Sequence, residues 1–203
     1  MKNVVISSRI FKDQNGTLCT VYDQDILIMM KKLNLLINPF NISNKKNYNL
    51  LKNCDGLFLM GGGDISKIDK KKINIIRDDF EKKLFRYFVK HNKPIIGICR
   101  GFQNIVSQYG VKIFKVPGHV RTQHTLTIHK SRFIKSKKLN VNSYHNYSVK
   151  KLPRNYKAIS TLGDGTIEVA EHKTKKILCL MFHPERKMLS QRKIIQSLKK
   201  LFK

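Results

Sequence analysis

Cys99 stands in KPIIGICRGFQNI (93–105), where an apolar run meets Gly-x-Cys-x-Gly and a helical pattern begins. A strand, a tight turn carrying a reactive side chain and then a helix is the geometry of a nucleophile elbow. Gly97 and Gly101 flank the cysteine at −2 and +2, where larger side chains would collide with so sharp a corner. The helix N-terminus beyond it brings partial positive charge, which favours a thiolate. Its first backbone N–H, that of Arg100, is placed to stabilise an oxyanion. The competing reading of Cys99 is a small buried hydrophobe, which is how Cys19, Cys54 and Cys179 read.

A nucleophilic thiolate needs a base and a group to orient that base. The apolar run ILCLMF (177–182) ends in His183-Pro184-Glu185. Alternate residues of an extended chain project to one side, so His183 and Glu185 can lie together at a strand end, with Pro184 holding the backbone extended. A third stretch, LFLMGGGDI (57–65), reads as a buried strand running into Gly61, Gly62 and Gly63. Such a loop lets backbone amides approach a reacting carbonyl and supply a second oxyanion donor. Phosphate binding and a plain turn are its other readings, although GxGxxG and Gly-Lys-Ser/Thr spacings are both lacking.

The elements needed to position these residues are legible. Apolar runs at 3–8, 36–40, 55–60 and 94–98 alternate with helical patterns at 20–36, 70–91 and 100–109. This predicts α/β architecture with a parallel sheet between helices. Ile76, Phe80, Leu84 and Phe88 recur at helical spacing and predict an amphipathic helix on the sheet. From about Lys112 onward shorter β-like pieces predominate, with Gly163-Asp164-Gly165 as a turn between two strands. Segment 189–202 reads as a closing helix with Leu189, Ile194, Leu198 and Leu201 near one face. One domain over 1–203 is expected, since nothing reads as a linker or a repeat.

Composition limits the function classes. The chain has 203 residues and a formal net charge of +28, from 41 Lys+Arg against 13 Asp+Glu. So large an excess invites a nucleic-acid reading. Yet there are 32 Lys and only 9 Arg, spread over the whole chain, whereas a dedicated reader concentrates Arg on one element. A solvated basic surface is the preferred account, ahead of an acidic small substrate and then of nucleic acid. No run reaches the roughly 18–20 apolar residues of a membrane span, so no membrane partner is expected. The four cysteines form no CxxC pair, which argues against a disulfide framework or a zinc knuckle and fits a reducing cytoplasm. Neither metal nor cofactor is expected.

GICRGFQ around Cys99, the FHPE of His183 and Glu185, and the preceding GGGD together resemble the class I glutamine amidotransferase superfamily. RDDFEKKL (77–84), VNSYHNYSV (141–149) and DGTIEVAEH (164–172) look like its γ-glutamyl hydrolase-like branch, which cleaves γ-glutamyl amides to glutamate. The resemblance covers nearly the whole chain. It implies a flavodoxin-like three-layer sandwich with a central, mostly parallel sheet, a nucleophile elbow and a β-rich second half. It also implies a Cys99–His183–Glu185 triad and an oxyanion hole from the backbone of Arg100 and of Gly63 or Gly62. Gln103 matches a position touching the amino-acid end of the γ-glutamyl group, and Ser143, His145, Asn146 and Tyr147 fall in the loop that closes over it. Arg9, at the end of the first strand, is a candidate contact for a substrate anion.

The chain departs from polyamine-type members of that branch. After the elbow helix it has a single glycine, Gly110, where they tend to carry Gly-Gly and an acidic contact for their cationic leaving group. Between Gly110 and Asp164 there is no acidic residue, while Lys112, Lys115, Arg121, Lys130, Arg132 and Lys135 supply positive charge. Complementarity then favours an anionic leaving group, such as a phosphate-bearing amide. The alternatives are a γ-glutamyl-amine hydrolase, a glutaminase component that hands ammonia to a synthetase, and a non-catalytic nucleic-acid binder. A stand-alone hydrolase requires no protein partner.

Overall fold

The structure, a computed structural model, describes residues 1–7, 9–38, 40–41 and 48–202. Ser8 and Pro39, which belong to the expected runs 3–8 and 36–40, lie outside the described residues. The chain order is β1 (Lys2–Ser7), β2 (Arg9–Lys12), β3 (Leu18–Val21), α1 (Gln24–Leu33), β4 (Leu35–Asn38), β5 (Gly56–Leu59), α2 (Lys72–Lys90), β6 (Ile95–Ile98) and α3 (Arg100–Ser107). The second half continues with β7 (Phe114–Lys115), β8 (Val120–Thr127), β9 (Lys138–Tyr144), β10 (Tyr147–Ser148), β11 (Tyr156–Thr161), β12 (Ile167–His172), β13 (Ile177–Leu180) and α4 (Gln191–Leu201).

Seven strands form the central sheet in the order β11-β12-β13-β6-β5-β1-β4. The β13-β6-β5-β1-β4 run is parallel, and β12 and β11 extend it antiparallel. Strand alternation divides its side chains between two layers. Val4, Ile6, Phe58, Ile96, Ile98, Leu178 and Leu180 face α1 and α4 through Met29, Met30, Leu198 and Leu201. Val5, Leu57, Leu59, Ile95, Ile177 and Cys179 face the other way, onto Phe80, Leu84, Phe88, Phe102 and Ile105 of α2 and α3. Because β5, β6 and β13 are covered on both faces, they read as unbroken apolar runs. Each fully buried Phe or Leu stabilises this packing by roughly 1.5–3 kcal/mol. No helix among the described residues is long and apolar enough to cross a membrane.

The expected helix over 20–36 is shorter and flanked by strands. Asp23 is extended at its start, and Asn34 turns left-handed (φ 59°), donating its N–H to Lys31 and Met30 carbonyls. That αL cap frees Leu35 and Leu36 to pair with β1 as β4. At the C-terminus α4 begins at Gln191, and Leu189, expected on its buried face, precedes it and is 79% exposed. The second half is β-rich, as expected. β8 and β9 form a separate hairpin, β7 and β10 a two-residue ladder, and the turn at Gly163–Gly165 joins β11 to β12. β5, β6 and β13 all run the same way, so the segments after them emerge at one edge of the sheet, where α/β folds place their sites.

Candidate active site

Cys99 follows β6 directly and has φ 50° and ψ −104°. For a residue with a Cβ this is a sparsely populated region, with strain on the order of 1–3 kcal/mol. Two main-chain bonds hold it there: Cys99 N–H donates to Leu180 O at 2.7 Å, and Gln103 N–H donates to Cys99 O at 3.1 Å. The glycine two residues on is a packing requirement. A Cβ on Gly101 would lie 2.0 Å from Leu59 O, so any side chain would force α3 away from β5. The elbow read from the sequence is therefore present, and the first N–H of α3, that of Arg100, is one a helix leaves without an internal partner.

His183 stands beside it, lining the same cleft. Its Nδ1 meets Glu185 Oε1 at 2.6 Å, which leaves Nε2 as the nitrogen for sulfur. Gly61 marks how close the groups are, since a Cβ there would lie 2.6 Å from His183 Cε1 and 3.4 Å from Cys99 Cβ. Burial disfavours the His183 imidazolium, but the Cys99 thiolate and then Glu185 outweigh it and raise the pKa to about 10. His183 therefore keeps its proton at neutral pH. A group the sequence analysis missed fixes the histidine backbone. Asn142 Oδ1 accepts from His183 N–H, and Asn142 Nδ2 donates to His183 O, both at 2.9 Å.

Gly62 and Gly63 take φ +89° and +74°, which lets the loop after β5 expose its amides. A buried ionic network grips this loop from behind. Arg77 donates to the carbonyls of Met60 (3.0 Å), Gly61 (3.2 Å) and Gly62 (2.6 Å), and through Nε to Glu81 Oε1 at 2.8 Å. Glu81 also accepts from Ser7 Oγ and from Arg100, whose other arm reaches Asp78. Burial opposes the Glu81 carboxylate, yet the two guanidiniums and the Ser7 hydroxyl hold it below the usual range. Burial pulls Arg77 down to about 10, which leaves it charged at neutral pH. Arg100 therefore has two parts: an amide at the elbow and a side chain bracing the glycine loop.

A cleft of about 260 Å³ opens over Cys99 and His183. Gly62, Gly63, Gln103, His145, Asn146 and Tyr147 line it, all positions the sequence analysis singled out. Gln103 Nε2 donates to Tyr147 O at 2.8 Å, tying α3 to the loop across the cleft. Asp64, Tyr144 and Arg186 line it too and were not foreseen. Arg186 lies 4.7 Å over the Tyr144 ring, which in turn meets His183 edge-on at 5.9 Å.

Two expected contacts lie elsewhere. Ser143 is fully buried and donates to His119 O at 2.6 Å, because along β9 it is Asn142 and Tyr144 that face His183. Arg9 lies outside this cleft, ion-paired with Asp23 in a small neighbouring pocket that it lines with Gly62, His183, Glu185 and Arg186, and its stem would clash with any Cβ on Gly62. The basic stretch from Lys112 to Lys138 also stands apart. None of its lysines or arginines lines the cleft, and Arg132 instead donates to the carbonyls of His172, Lys173 and Lys175. The cation at the cleft is Arg186.

Behind the 145–147 wall His119, His124, His145 and Glu168 converge, with one ligand atom from each lying within 4.8 Å of the others. This is the set among the described residues that could hold a metal ion.

The fold is that of the class I glutamine amidotransferases. A Thermoplasma acidophilum protein described as a GMP synthase component superposes with a TM-score of 0.73, at 22% identity over 100% of this chain and 94% of its own. More narrowly, the family described as Peptidase C26 matches residues 11–185, and the chain belongs to it. The γ-glutamyl-CDP-amidate hydrolase of Campylobacter jejuni is 31% identical over 130 residues, 64% of this chain and 62% of that protein's length. A glutamine amidotransferase-like protein of Lactococcus lactis is 30% identical over 167 residues, 70% of each chain.

Proposed function

We propose that the chain is a cysteine-dependent γ-glutamyl amide hydrolase acting on an anionic substrate, γ-glutamyl-CDP-amidate, to give L-glutamate and cytidine diphosphoramidate, a reaction that would serve capsular phosphoramidate synthesis. The observation that carries the chemistry is His183, bonded to Glu185 and facing one cleft with Cys99 and the glycine loop. The Cys99 thiolate attacks the γ-carbonyl carbon, and the oxyanion accepts hydrogen bonds from the Arg100 amide and that of Gly63 or Gly62. As the tetrahedral species collapses, the C–N bond breaks and the His183 imidazolium gives its proton to the departing nitrogen. The thioester has no thiolate charge, so His183 loses the largest influence raising its pKa and becomes a base. It takes a proton from water, whose oxygen attacks the thioester; glutamate leaves, and thiolate and imidazolium are restored.

Two observations support the substrate. Arg186 presents a cation to the cleft, and the Campylobacter relative is named for this amide. His145, Asn146, Tyr147 and Gln103 form the wall against which the glutamyl moiety would rest. The test is glutamate release from glutamine, γ-glutamylputrescine, folyl polyglutamate and γ-glutamyl-CDP-amidate by the protein alone. A kcat/KM on the last at least 100-fold above the others is expected. Equal rates on all four would refute the substrate. Glutamine hydrolysis that appears only on adding a synthetase would assign an ammonia-delivering role instead.

A further inference from the structure

We propose that His119, His124, His145 and Glu168 form a binding site for a divalent transition metal of the zinc type, separate from Cys99. The four come from distant parts of the chain: His119 before β8, His124 within it, His145 just after β9, and Glu168 in β12. His124 Nε2 lies 3.1 Å from His119 Nδ1, and His145 Nε2 lies 3.2 Å from Glu168 Oε1. A tetrahedral ion with bonds of about 2.0–2.1 Å sets its ligand atoms roughly 3.3 Å apart. Both close pairs already have that separation, and the full spread of 4.8 Å needs only modest side-chain adjustment.

Burial makes the protein-only alternative unsatisfactory. Glu168 is 0% exposed and His145 3%, yet both Glu168 oxygens and both His145 ring nitrogens lack a hydrogen-bond partner. A simple ion pair would align at least one of them. Leaving a buried polar group without a partner costs about 1–3 kcal/mol, and more for a charged one. A dication facing one carboxylate and neutral imidazoles removes that deficit. The outer contacts have the arrangement expected around a metal-bound histidine. Asp164 Oδ2 accepts from His119 Nε2 at 3.0 Å, which turns Nδ1 toward the cluster and fixes its tautomer.

Three imidazoles and a carboxylate suit zinc and its neighbours in the first transition row, not calcium or magnesium. Four protein ligands leave no open position, which marks a structural site. Such an ion would pin the β8-β9 hairpin to the central sheet through β12 and hold the 145–147 wall of the cleft in place.

The experiment uses the full chain, stripped with a chelator and titrated with Zn²⁺ and Co²⁺. Metal is counted by mass spectrometry, and the Co²⁺ coordination is read from its visible absorption. One equivalent of tetrahedral Co²⁺ without a sulfur charge-transfer band is expected, and it should persist in Cys99→Ala. His124→Ala and Glu168→Gln should each weaken binding at least 100-fold, and Asp164→Asn about 10–100-fold. His124 is half-buried, so its variant carries the test even if Glu168→Gln fails to fold. Failure of the wild type to bind one equivalent would overturn the proposal. So would unchanged binding in both ligand variants, or loss of the ion in Cys99→Ala.

Discussion

Asn142 pairs its side-chain amide with both main-chain polar groups of His183, at 2.9 Å each, as a neighbouring strand would. β13 ends at Leu180, so His183 lies past the last rung of the sheet, and Asn142 on the β8-β9 hairpin continues the pairing there. Asn142→Leu leaves the buried His183 N–H unpaired, while the His183 carbonyl keeps the Arg186 N–H at 3.1 Å, and stability should fall by about 1–3 kcal/mol in urea denaturation. The imidazole loses its fixed height over Cys99, so kcat should drop roughly 10–100-fold with KM little changed. A variant with wild-type kcat would show that the histidine backbone needs no such support.

The thiolate and imidazolium make unequal demands on their partners. Cys99→Ala should lower kcat by roughly 10⁴-fold or more while the fold is retained, and His183→Ala should be nearly as severe. Glu185→Gln keeps a hydrogen-bond acceptor beside Nδ1 and should lose less. Glutamate release by the three purified variants gives the order, and a milder His183→Ala than Glu185→Gln would reverse the roles assigned to them.

The raised pKa of His183 sets a pH window. With thiolate and carboxylate beside it the imidazolium persists to about 10, against an ordinary 6.5. kcat/KM reports the free enzyme, so its alkaline limb should centre near pH 10. Glu185→Gln should move that limb to lower pH. Folding stability follows the same sign. The folded state binds the proton more tightly, so this contribution is complete below about pH 6.5 and is lost as pH climbs through 10. Melting temperatures of wild type and His183→Ala should therefore converge at alkaline pH, and an alkaline limb near pH 7 would contradict the ion pair.

Behind the glycine loop, Arg77 is the group that turns a flexible sequence into a fixed one. Its guanidinium holds the three successive carbonyls of Met60, Gly61 and Gly62, which fixes the peptide planes between them. Arg77→Met removes those donors and leaves the buried Glu81 one partner short. Breaking a buried pair in this way costs about 3–5 kcal/mol. kcat should fall more than tenfold with KM nearly constant, because the loss lies in oxyanion stabilisation, which stopped-flow acylation rates would isolate. A change confined to KM would place Arg77 outside the oxyanion machinery.

The sequence disclosed what depends on local rules. The elbow at Cys99, the strand-end histidine and the glycine loop each carry a signature within a few residues, and the alternation of apolar runs gives the parallel sheet. What it concealed depends on phase and on distant pairing. Ser143 and Tyr144 differ by one position on β9, and a shift of one residue exchanges the cleft for the interior. Arg9 reads as the end of the first strand, but it opens β2, and its pairing with Asp23 depends on the β2-β3 hairpin folding back. The His119–Glu168 cluster has no ligand spacing to read, since its members lie on three separate segments. The basic run from Lys112 to Lys138 was judged by density, whereas its direction is set by the hairpin that carries it.

Arg186, one residue past the His183–Glu185 pair, is the group to which the proposed function gives the electrostatic part of the specificity. It is half-buried and stacked on Tyr144, and its guanidinium lines the cleft. Charge-assisted hydrogen bonds to phosphate contribute roughly 1.5–3 kcal/mol. Arg186→Gln should therefore raise KM for γ-glutamyl-CDP-amidate by about 10–100-fold. An uncharged γ-glutamyl anilide has no group for the guanidinium, so its kcat/KM should change less than threefold. The ratio of the two specificity constants is the measurement. An equal loss on both substrates would show that Arg186 serves the reaction centre through Tyr144 and His183, and the anionic leaving group would then have to be recognised elsewhere in the cleft.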